Sequence, residues 1–489
     1  MDATTQPVAN RTIADLPGPP SLPIVGSALQ MDRNRMHAGL EQWAARYGEA
    51  YTFKLVSLRV VVVSNPEVVA TVLRDRPDTF RRSSRLEQLS REFGFLGLFS
   101  ASGETWRRQR PMVLAGLDPT HIKAFFPTLI EVTERFARHW GRAAAAGTAI
   151  DLQADLMRYT VDVTAALAFG EDINTIDAQQ DQAIQQHLNH ILPALFKRMF
   201  APFPVWKYFP NKEDRAIPGH LQALQSAVRG FIARAARQLD EQPALRERPV
   251  NLIQAMLAAR DRDNSGISEG DVSGNVLTML LAGEDTTANT LAWLIWLLQR
   301  NPDALRRASE EAKAVLGGRT CARSIDELAR LDYIEACAYE AMRLKPVAPL
   351  IGCEARKDAV VAGIEVPAGT LVICLMRPGA LDAKNFEAPL QFDPQRWLEG
   401  AGAAAHSLGS SKRVVMPFGA GPRICPGRYL ALAEIKMVAA MLLANFEIAE
   451  VSTPDGEEPQ ERLALTMYPV GLSMRLRAAS SDDPAVTPP

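Results

Sequence analysis

Cysteine is scarce in this chain, and neither sign of charge is in excess. Only five cysteines occur in 489 residues, no two form a Cys-x-x-Cys pair, and no secretory leader precedes them. A zinc ribbon or a disulfide framework is therefore not indicated, and a reduced compartment fits best. Because the net charge is only −2, nucleic acid is not expected as the main partner.

Long apolar runs are missing as well, and so is any flavin or ferredoxin motif. No segment approaches the roughly 18 apolar residues of a membrane span, so we predict a cytoplasmic protein without one. No internal repeat or clear linker divides the sequence, which indicates one domain over residues 1–489. The ends of the chain, residues 1–15 and 478–489, are expected to be disordered tails.

Helical periodicity dominates most of the chain. Apolar residues recur at spacings of three and four, most clearly in Ile150–Phe169, Leu221–Gln242 and Glu269–Arg300. Short segments rich in β-branched residues, at Arg59–Ser64 and Thr370–Cys374, predict strands far apart in sequence. The pattern favours an α+β fold, mainly α with smaller β-sheets.

A loop rich in glycine and proline, residues 417–429, carries most of the candidate chemistry. It brings Cys425 to the start of an apolar helix. A helix N-terminus offers free N–H groups and a partial positive charge, and both lower the pKa of a thiol. The plainer interpretation is a buried structural cysteine after a turn, which for a lone cysteine would be the better one.

The neighbours of Cys425 make the plainer interpretation unattractive. Gly421 and Gly427 let the backbone pass close to a flat, bulky group. Phe418 is placed to shield the sulfur, and Arg423 is placed to pair with an anionic group of a cofactor. Together these residues predict a thiolate site for a cofactor.

The long central helix is interrupted by the polar sequence Ala-Gly-Glu-Asp-Thr-Thr. Gly283 costs about 1 kcal/mol relative to alanine in a helix, and Thr286 can bond backward to a carbonyl. Ala282 and Thr286 share one face, with Thr278 one turn earlier. There, Thr286 could orient a proton donor and Asp285 could relay protons. By itself the stretch fits a buried helix with a polar interruption equally well.

In combination, these motifs resemble the cytochrome P-450 family of haem-thiolate monooxygenases. The family pattern F-x-x-G-x-R-x-C-x-G is met from Phe418 to Gly427, and A-G-x-D-T is met from Ala282 to Thr286. The resemblance implies the cytochrome P-450 fold, with haem b between the central helix and the Cys-loop helix. It also implies Cys425 as the thiolate ligand of iron, which favours O–O cleavage.

Two further motifs extend the resemblance over nearly the whole chain. The family's E-x-x-R motif, at Glu340 and Arg343, together with Arg396 implies a buried structural network that fixes the Cys loop. The W-x-x-x-R motif, at Trp106 and Arg110, implies contacts to the haem propionates. Alone, each is weak, because exposed ion pairs and solvated basic helices are common.

One position departs from the family pattern. Many relatives carry an arginine for a propionate where Cys353 stands here, and Arg356 follows three residues later. The residue that supplies this propionate contact is therefore left open.

The family topology implies a pocket walled by apolar segments. We expect a hydrophobic substrate, such as a fatty acid, terpenoid, steroid or apolar aromatic, to be hydroxylated or epoxidised with one atom of O2. Each side chain taken singly is at least as compatible with simple core packing. The candidate pocket residues are Phe93, Phe95, Leu96, Phe99, Thr278, Ala282, Val347, Leu350, Leu465 and Thr466.

Electrons must come from a separate protein, because the sequence has no flavin or ferredoxin motif of its own. A basic patch on the thiolate side suits an acidic ferredoxin or flavodoxin, supplied by its reductase. The residues of this basic patch are Arg107, Arg108, Lys412, Arg413 and Arg428.

Other functions explain less of the sequence. A haem-thiolate isomerase or peroxygenase does not need both Asp285 and Thr286. A haem sensor or carrier would bind haem without substrate-stimulated oxygen use. A haem-free helical interaction protein leaves four spaced motifs unexplained.

Overall fold

Helices make up most of the part of the chain that the computed structural model describes, namely residues 11–56, 58–177, 183–199, 201, 203–398, 411 and 413–478. The helices are α1 (Met36–Tyr47), α2 (Pro66–Arg74), α3 (Ser84–Glu92), α4 (Gly103–Leu114), α5 (Pro119–Ala146), α6 (Leu152–Phe169), α7 (Ala183–Met199), α8 (Val205–Tyr208), α9 (Lys212–Glu241), α10 (Leu252–Arg260), α11 (Glu269–Arg300), α12 (Pro302–Leu316), α13 (Ile325–Ala329), α14 (Asp332–Leu344) and α15 (Arg428–Asn445). The strands are β1 (Arg11–Thr12), β2 (Ala50–Leu55), β3 (Leu58–Val63), β4 (Phe80–Arg81), β5 (Ile150–Asp151), β6 (Leu350–Ala355), β7 (Ala359–Val361), β8 (Ile364–Val366), β9 (Leu371–Leu375), β10 (Phe446–Ser452), β11 (Glu461–Leu463), β12 (Met467–Pro469) and β13 (Ser473–Ala478).

Strands from distant parts of the sequence form one five-stranded sheet. Its order is β2-β3-β9-β6-β4. β3 and β9 are parallel, with Val60 opposite Leu371, and the other neighbours are antiparallel. Smaller sheets have the orders β1-β8-β7, β10-β13-β5 and β11-β12. The prediction of a mainly helical α+β fold is confirmed.

Helix α11 runs through the centre of the helical region. It starts with a capping box, in which Ser268 and Asp271 each accept a hydrogen bond from the other's backbone N–H. It spans 32 residues, which is about 48 Å at the usual rise. Asn301 ends it, because Pro302 cannot continue the helix and instead begins α12. Helices α6, α14 and α15 pack against it.

The two larger apolar cores of the described chain lie in different parts of the molecule. The larger core lies among α5, α6, α11 and α15, around Trp140 and Trp293, which are fully buried. The smaller core lies between α2 and the five-stranded sheet, and includes Cys353 and Cys374. In the described part of the chain, every helix is too short or too polar to cross a bilayer.

The predicted N-terminal tail is too long. Arg11 and Thr12 pair in parallel with Ile364 and Glu365 of β8, and Ile13 is buried in the smaller core. Residue 478 is the last residue of β13. The prediction of disorder was therefore wrong for residues 11–15 and 478, because these segments complete sheets. Residues 1–10 and 479–489 lie outside the described part of the chain.

Candidate active site

Backbone hydrogen bonds close the loop that precedes α15. The Cys425 N–H donates to the Phe418 carbonyl at 2.9 Å, and the Ile424 N–H donates to the Gly421 carbonyl at 3.0 Å. Helix α15 begins directly after Gly427. Cys425 is half-buried, whereas the other four cysteines are buried. Of the five, Cys425 is therefore the one held in a fixed loop and still within reach of a ligand.

The loop rests against the C-terminal end of α2, and this close approach requires glycine. Gly421 has a φ of +70°, and a Cβ atom there would lie 2.6 Å from the Cα of Arg74. Next to it, Nη2 of Arg76 donates to the Ala420 carbonyl at 3.2 Å. The conformation and the contact both fix where the loop presents Cys425.

The pKa of Cys425 is raised, not lowered as expected from the sequence. Burial raises the pKa of the thiol, and the Gly427 backbone N–H, Arg110 and Arg428 offset this only in part. The helix N-terminus thus acts in the predicted direction but is outweighed by desolvation. A metal ion that binds the sulfur deprotonates it outright, so a neutral thiol without a metal is compatible with a thiolate ligand.

Between its two exposed ends, α11 is mostly buried except near its middle. Ala282 is exposed and Asp285 and Thr286 are half-buried, although Leu281 and Thr287 beside them are buried. The Thr286 hydroxyl donates to the Ala282 carbonyl at 3.1 Å. Burial raises the pKa of Asp285 to about 6. This open face of α11 thus holds a hydroxyl and a carboxyl group that changes protonation near neutrality.

A second carboxyl group near this face was missed by the sequence analysis. Glu434 on α15 is buried and forms a hydrogen bond with Thr287. Burial raises its pKa to about 8, so it carries a proton at neutral pH. The only sequence signal was a lone carboxylate within an apolar helix. Thr287, which follows Thr286 on α11, therefore has a protonated carboxyl group as a hydrogen-bond partner.

Cationic and aromatic side chains surround the Cys loop. Nη2 of Arg110 donates to the Ile424 carbonyl at 2.8 Å. The guanidinium of Arg423 lies 4.9 Å from the ring centre of Trp106, and it donates to the Ala101 carbonyl. Helix α4, which carries Trp106 and Arg110, is thereby tied to the loop.

These cations leave buried donors unused, which tests whether the residues suit haem. In the described part of the chain, the Nε atoms of Arg82 and Arg423 are buried without a hydrogen-bond partner. Burial, and then the charges of Arg82 and Arg76, lower the pKa of Arg423 to about 9. Because buried N–H donors without partners are costly, this donor set fits the two carboxylates of haem b. Arg76 and Arg82 were not predicted as site residues, because they lie in an ordinary basic stretch of the sequence.

Glu340 and Arg343 form a buried pair at the end of α14. Arg343 donates to both carboxylate oxygens of Glu340, at 2.7 and 2.8 Å. Trp397 Nε1 donates to Glu340 at 2.9 Å, and Arg396 Nε lies 3.4 Å from it. Arg343 also donates to the carbonyls of Ala380, Pro389 and Gln391. The arrangement joins α14 to the segment that leads towards the Cys loop.

Known proteins resemble this chain in sequence and architecture. The family model for cytochrome P-450 matches residues 16–475. The chain belongs to the cytochrome P-450 family. A mitochondrial 25-hydroxyvitamin D-1 alpha hydroxylase of Mus musculus is 28% identical over 465 residues, which cover 90% of this chain and 87% of the relative. Pentalenene oxygenase of Streptomyces avermitilis is 25% identical, with coverage of 94% and 96%.

A solved structure shows the same fold. The haem domain of a cytochrome P-450DA mutant superposes with a TM-score of 0.81 at 24% identity, covering 95% of this chain and 98% of the other. This cytochrome P-450 is therefore a monooxygenase whose cofactor is haem b, with iron bound by a cysteine thiolate.

The predicted pocket residues of this cytochrome P-450 divide into two groups. Those that are at least partly exposed are Leu96, Phe99, Ala282, Val347, Leu350 and Leu465. Those that are buried are Phe93, Phe95, Thr278 and Thr466.

The buried group is engaged in packing or hydrogen bonds. Phe93 and Phe95 pack edge to face with ring centres 5.8 Å apart, and both belong to the larger core. The Thr466 hydroxyl accepts a hydrogen bond from Asn289 at 3.1 Å, and Thr278 donates to the Gly274 carbonyl at 2.7 Å. Phe93 and Phe95 therefore pack in the larger core, and their part in lining a substrate pocket stays a prediction.

The predicted basic patch is largely neutralised on α4. Arg107 pairs with Asp78 and Glu104, and Arg108 pairs with Asp271 at 3.1 Å. These acidic partners come from other elements or earlier turns, which the linear sequence did not bring together. Arg413 and Arg428 have no carboxylate partner in the part of the chain that the structure describes, and Lys412 lies outside it.

Proposed function

We propose that this cytochrome P-450 oxidises a hydrophobic small molecule, with Cys425 as the thiolate ligand of haem iron. The observation that carries the proposal is the pairing of two motifs: a half-buried cysteine in a closed loop and an open polar face on α11. Bound haem supplies dioxygen activation, and a thiolate ligand favours O–O cleavage. The chain's own side chains bind the haem, exclude water and handle protons.

Asp285 and Thr286 are the residues we assign to proton delivery. With a pKa of about 6, Asp285 holds a proton below that pH and releases it above, so both forms exist near neutrality. The Thr286 hydroxyl, which donates to the Ala282 carbonyl, is free to accept a hydrogen bond at the same time. A carboxyl group next to a hydroxyl can therefore pass a proton towards the open face.

The haem would be held by the residues around the Cys loop. Arg110, Arg423 and Trp106 are the candidates for the propionates, because all three offer N–H donors beside the loop. Gly421 and Gly427 keep the loop thin, and Phe418 shields the sulfur. The network of Glu340, Arg343 and Arg396 supports the segment before the loop and is not catalytic.

The substrate pocket we propose is apolar. Leu96, Val347, Leu350 and Leu465 are partly exposed and come from four separate segments of the chain. Relatives named for pentalenene and for 25-hydroxyvitamin D support a substrate of the terpenoid or steroid kind. Titration of candidate ligands for a spin-state shift tests this assignment; a response only to highly polar ligands would contradict it.

A ferredoxin or flavodoxin is the electron donor we propose, and the cytoplasm is the location. Arg413 and Arg428 support docking of an acidic partner, whereas Arg107 and Arg108 contribute less than expected because both are paired. Charge reversal at Arg413 and Arg428 should slow reduction and weaken its dependence on salt, while reversal at Arg107 should do less. An unchanged rate in the first variant would contradict this donor site.

Oxygen incorporation tests the reaction directly. The purified protein would be supplied with a ferredoxin, its reductase and a substrate found by spectral titration, under ¹⁸O2. We expect one ¹⁸O atom in the product. Product oxygen derived from water, or product formed only with added peroxide, would contradict a monooxygenase that uses dioxygen.

A further inference from the structure

Positive charge accumulates around one buried cysteine of the five-stranded sheet. Cys353 on β6 is fully buried, and three arginines, Arg76, Arg82 and Arg423, act electrostatically on its thiol. In the described part of the chain, none of the three forms a salt bridge with a carboxylate. The nearby Glu354 is already taken by Arg81 and Ser84.

Two of the three arginines form hydrogen bonds that hold parts of the fold together. Arg76 donates to the carbonyls of Leu73 and Ala420, at 3.0 and 3.2 Å, and so ties α2 to the Cys loop. Arg423 donates to the Ala101 carbonyl and stacks on Trp106. Their positions are explained by these contacts even without a ligand.

Arg82 forms no side-chain hydrogen bond of this kind in the described part of the chain. Its guanidinium lies 4.6 Å from the ring centre of Phe99, which holds it in place. Its Nε atom is buried without a hydrogen-bond partner in the described part of the chain. A guanidinium carries five N–H donors in a planar fork. Arg82 is therefore a cation that is held in place and still has N–H groups available to bind a ligand.

An anionic partner would stabilise the Arg82 guanidinium. Arg82 is half-buried, and desolvation, followed by the charge of Arg76, lowers its pKa to about 10. A partly desolvated charge without an anionic partner is unfavourable. In the part of the chain that the structure describes, the acidic groups beside these arginines are the thiols of Cys353 and Cys374, and a thiol is a poor substitute for a carboxylate. Arg356 does not fill the same place, because its Nη1 donates to the Pro77 carbonyl at 3.0 Å.

We propose that Arg82 binds a haem propionate and thereby supplies the cation that this chain lacks at Cys353. This inference rests on the proposed haem site. The guanidinium fork matches a carboxylate in two parallel hydrogen bonds. The arginine has moved from the strand β6 to the segment between β4 and α3, and the small Cys353 side chain leaves room for it. Arg82 is then a cofactor-binding residue and not a catalytic one.

Haem affinity is the measurement that tests the proposal. Apoprotein would be titrated with haemin, followed by the Soret band, for wild type, Arg82→Ala and Arg82→Gln. Arg91→Ala is the matched control, because Arg91 on α3 is exposed and, among the residues that the structure describes, forms a salt bridge only with Glu87. Loss of a charge-assisted hydrogen bond predicts a rise in the dissociation constant of about ten- to a hundredfold for Arg82→Ala and Arg82→Gln, and none for Arg91→Ala.

A second variant separates haem binding from simple stabilisation. In Arg82→Ala/Cys353→Arg, the arginine returns to β6 and fills the space that Arg82 vacated, so haem affinity should recover by at least tenfold over Arg82→Ala. Far-UV circular dichroism checks that each variant is folded. If Arg82→Ala does not fold, Arg82→Gln is used in its place, because it keeps a polar side chain over Phe99.

The outcomes are distinguishable. Affinity within twofold of wild type in Arg82→Ala or Arg82→Gln would overturn the role of Arg82 and leave the proposed function standing. Wild-type protein that binds no haem would overturn both.

Discussion

Two glycines in the Cys loop provide a sharp test of how the loop is positioned. Gly419 and Gly421 have φ angles of +73° and +70°, so alanine at either position bears the same left-handed penalty of about 1–2 kcal/mol. They differ in their surroundings. A Cβ atom at Gly419 meets nothing within 4 Å, whereas one at Gly421 would lie 2.6 Å from the Cα of Arg74 and 2.9 Å from the carbonyl oxygen of Leu73.

The extra cost for Gly421→Ala follows from this contact. Non-bonded carbon atoms prefer separations of about 3.5–4.0 Å, so the loop must retreat from α2 by about 1 Å. Overpacking of that size costs about 1–3 kcal/mol. The free energy of unfolding should therefore fall by that amount more in Gly421→Ala than in Gly419→Ala. Since Cys425 moves with the loop, haem occupancy should fall only in the first.

Denaturant unfolding and the haem-to-protein absorbance ratio measure the two effects. Equal losses of stability and equal haem contents in the two variants would refute the docking of the loop on α2. The comparison cancels the backbone penalty, so the remaining difference reports the contact alone.

Three further predictions concern the buried network and the central helix. Arg343→Ala should lower the free energy of unfolding by about 3–5 kcal/mol, because it strands the buried Glu340 carboxylate; chemical denaturation measures it. Gly283→Ala should cost about 1–3 kcal/mol, since its Cβ would lie 2.3 Å from Oγ1 of Thr164 on α6. Asp285→Asn should be more stable than wild type by a margin that grows with pH. The pKa of Asp285 is raised from 3.8 to about 6, so the wild type loses stability as pH rises from about 4 through 6.

Matched variants make these tests decisive. Arg306 forms exposed pairs at the surface, so Arg306→Ala should cost less than about 1 kcal/mol; a similarly small cost for Arg343→Ala would contradict the buried network. Gly219 in α9 has open space around it, so Gly219→Ala should be neutral or stabilising. A margin between Asp285→Asn and wild type that stays constant from pH 4.5 to 7.5 would argue against the raised pKa.

Local sequence patterns anticipated what depends on local structure. The spacing within residues 417–429 places Cys425 before α15 because the loop closes on itself through neighbouring residues. The bond from Thr286 to Ala282 spans a single helical turn. Glu340 and Arg343 are likewise one turn apart. In each case the residues that interact are close in sequence, so the pattern was sufficient.

Contacts between distant segments were beyond the reach of the sequence. Arg82 meets Cys353 and Arg423 only after β4 pairs with β6. Arg108 is neutralised by Asp271, which is 163 residues away. The burial of Phe93 and Phe95 depends on how the segment after α3 packs, and apolar character does not distinguish a core residue from a pocket residue. The fold class was therefore predictable, but the full electrostatics of the site were not.

The central claim is that Cys425 is the thiolate ligand of haem iron. Its most direct test is the absorption spectrum of the dithionite-reduced protein under carbon monoxide, recorded for wild type and for Cys425→Ser. We expect a strongly red-shifted Soret band in wild type that is absent from the variant. A Soret band at the ordinary position in wild type, or a red-shifted band that persists in Cys425→Ser, would contradict the claim.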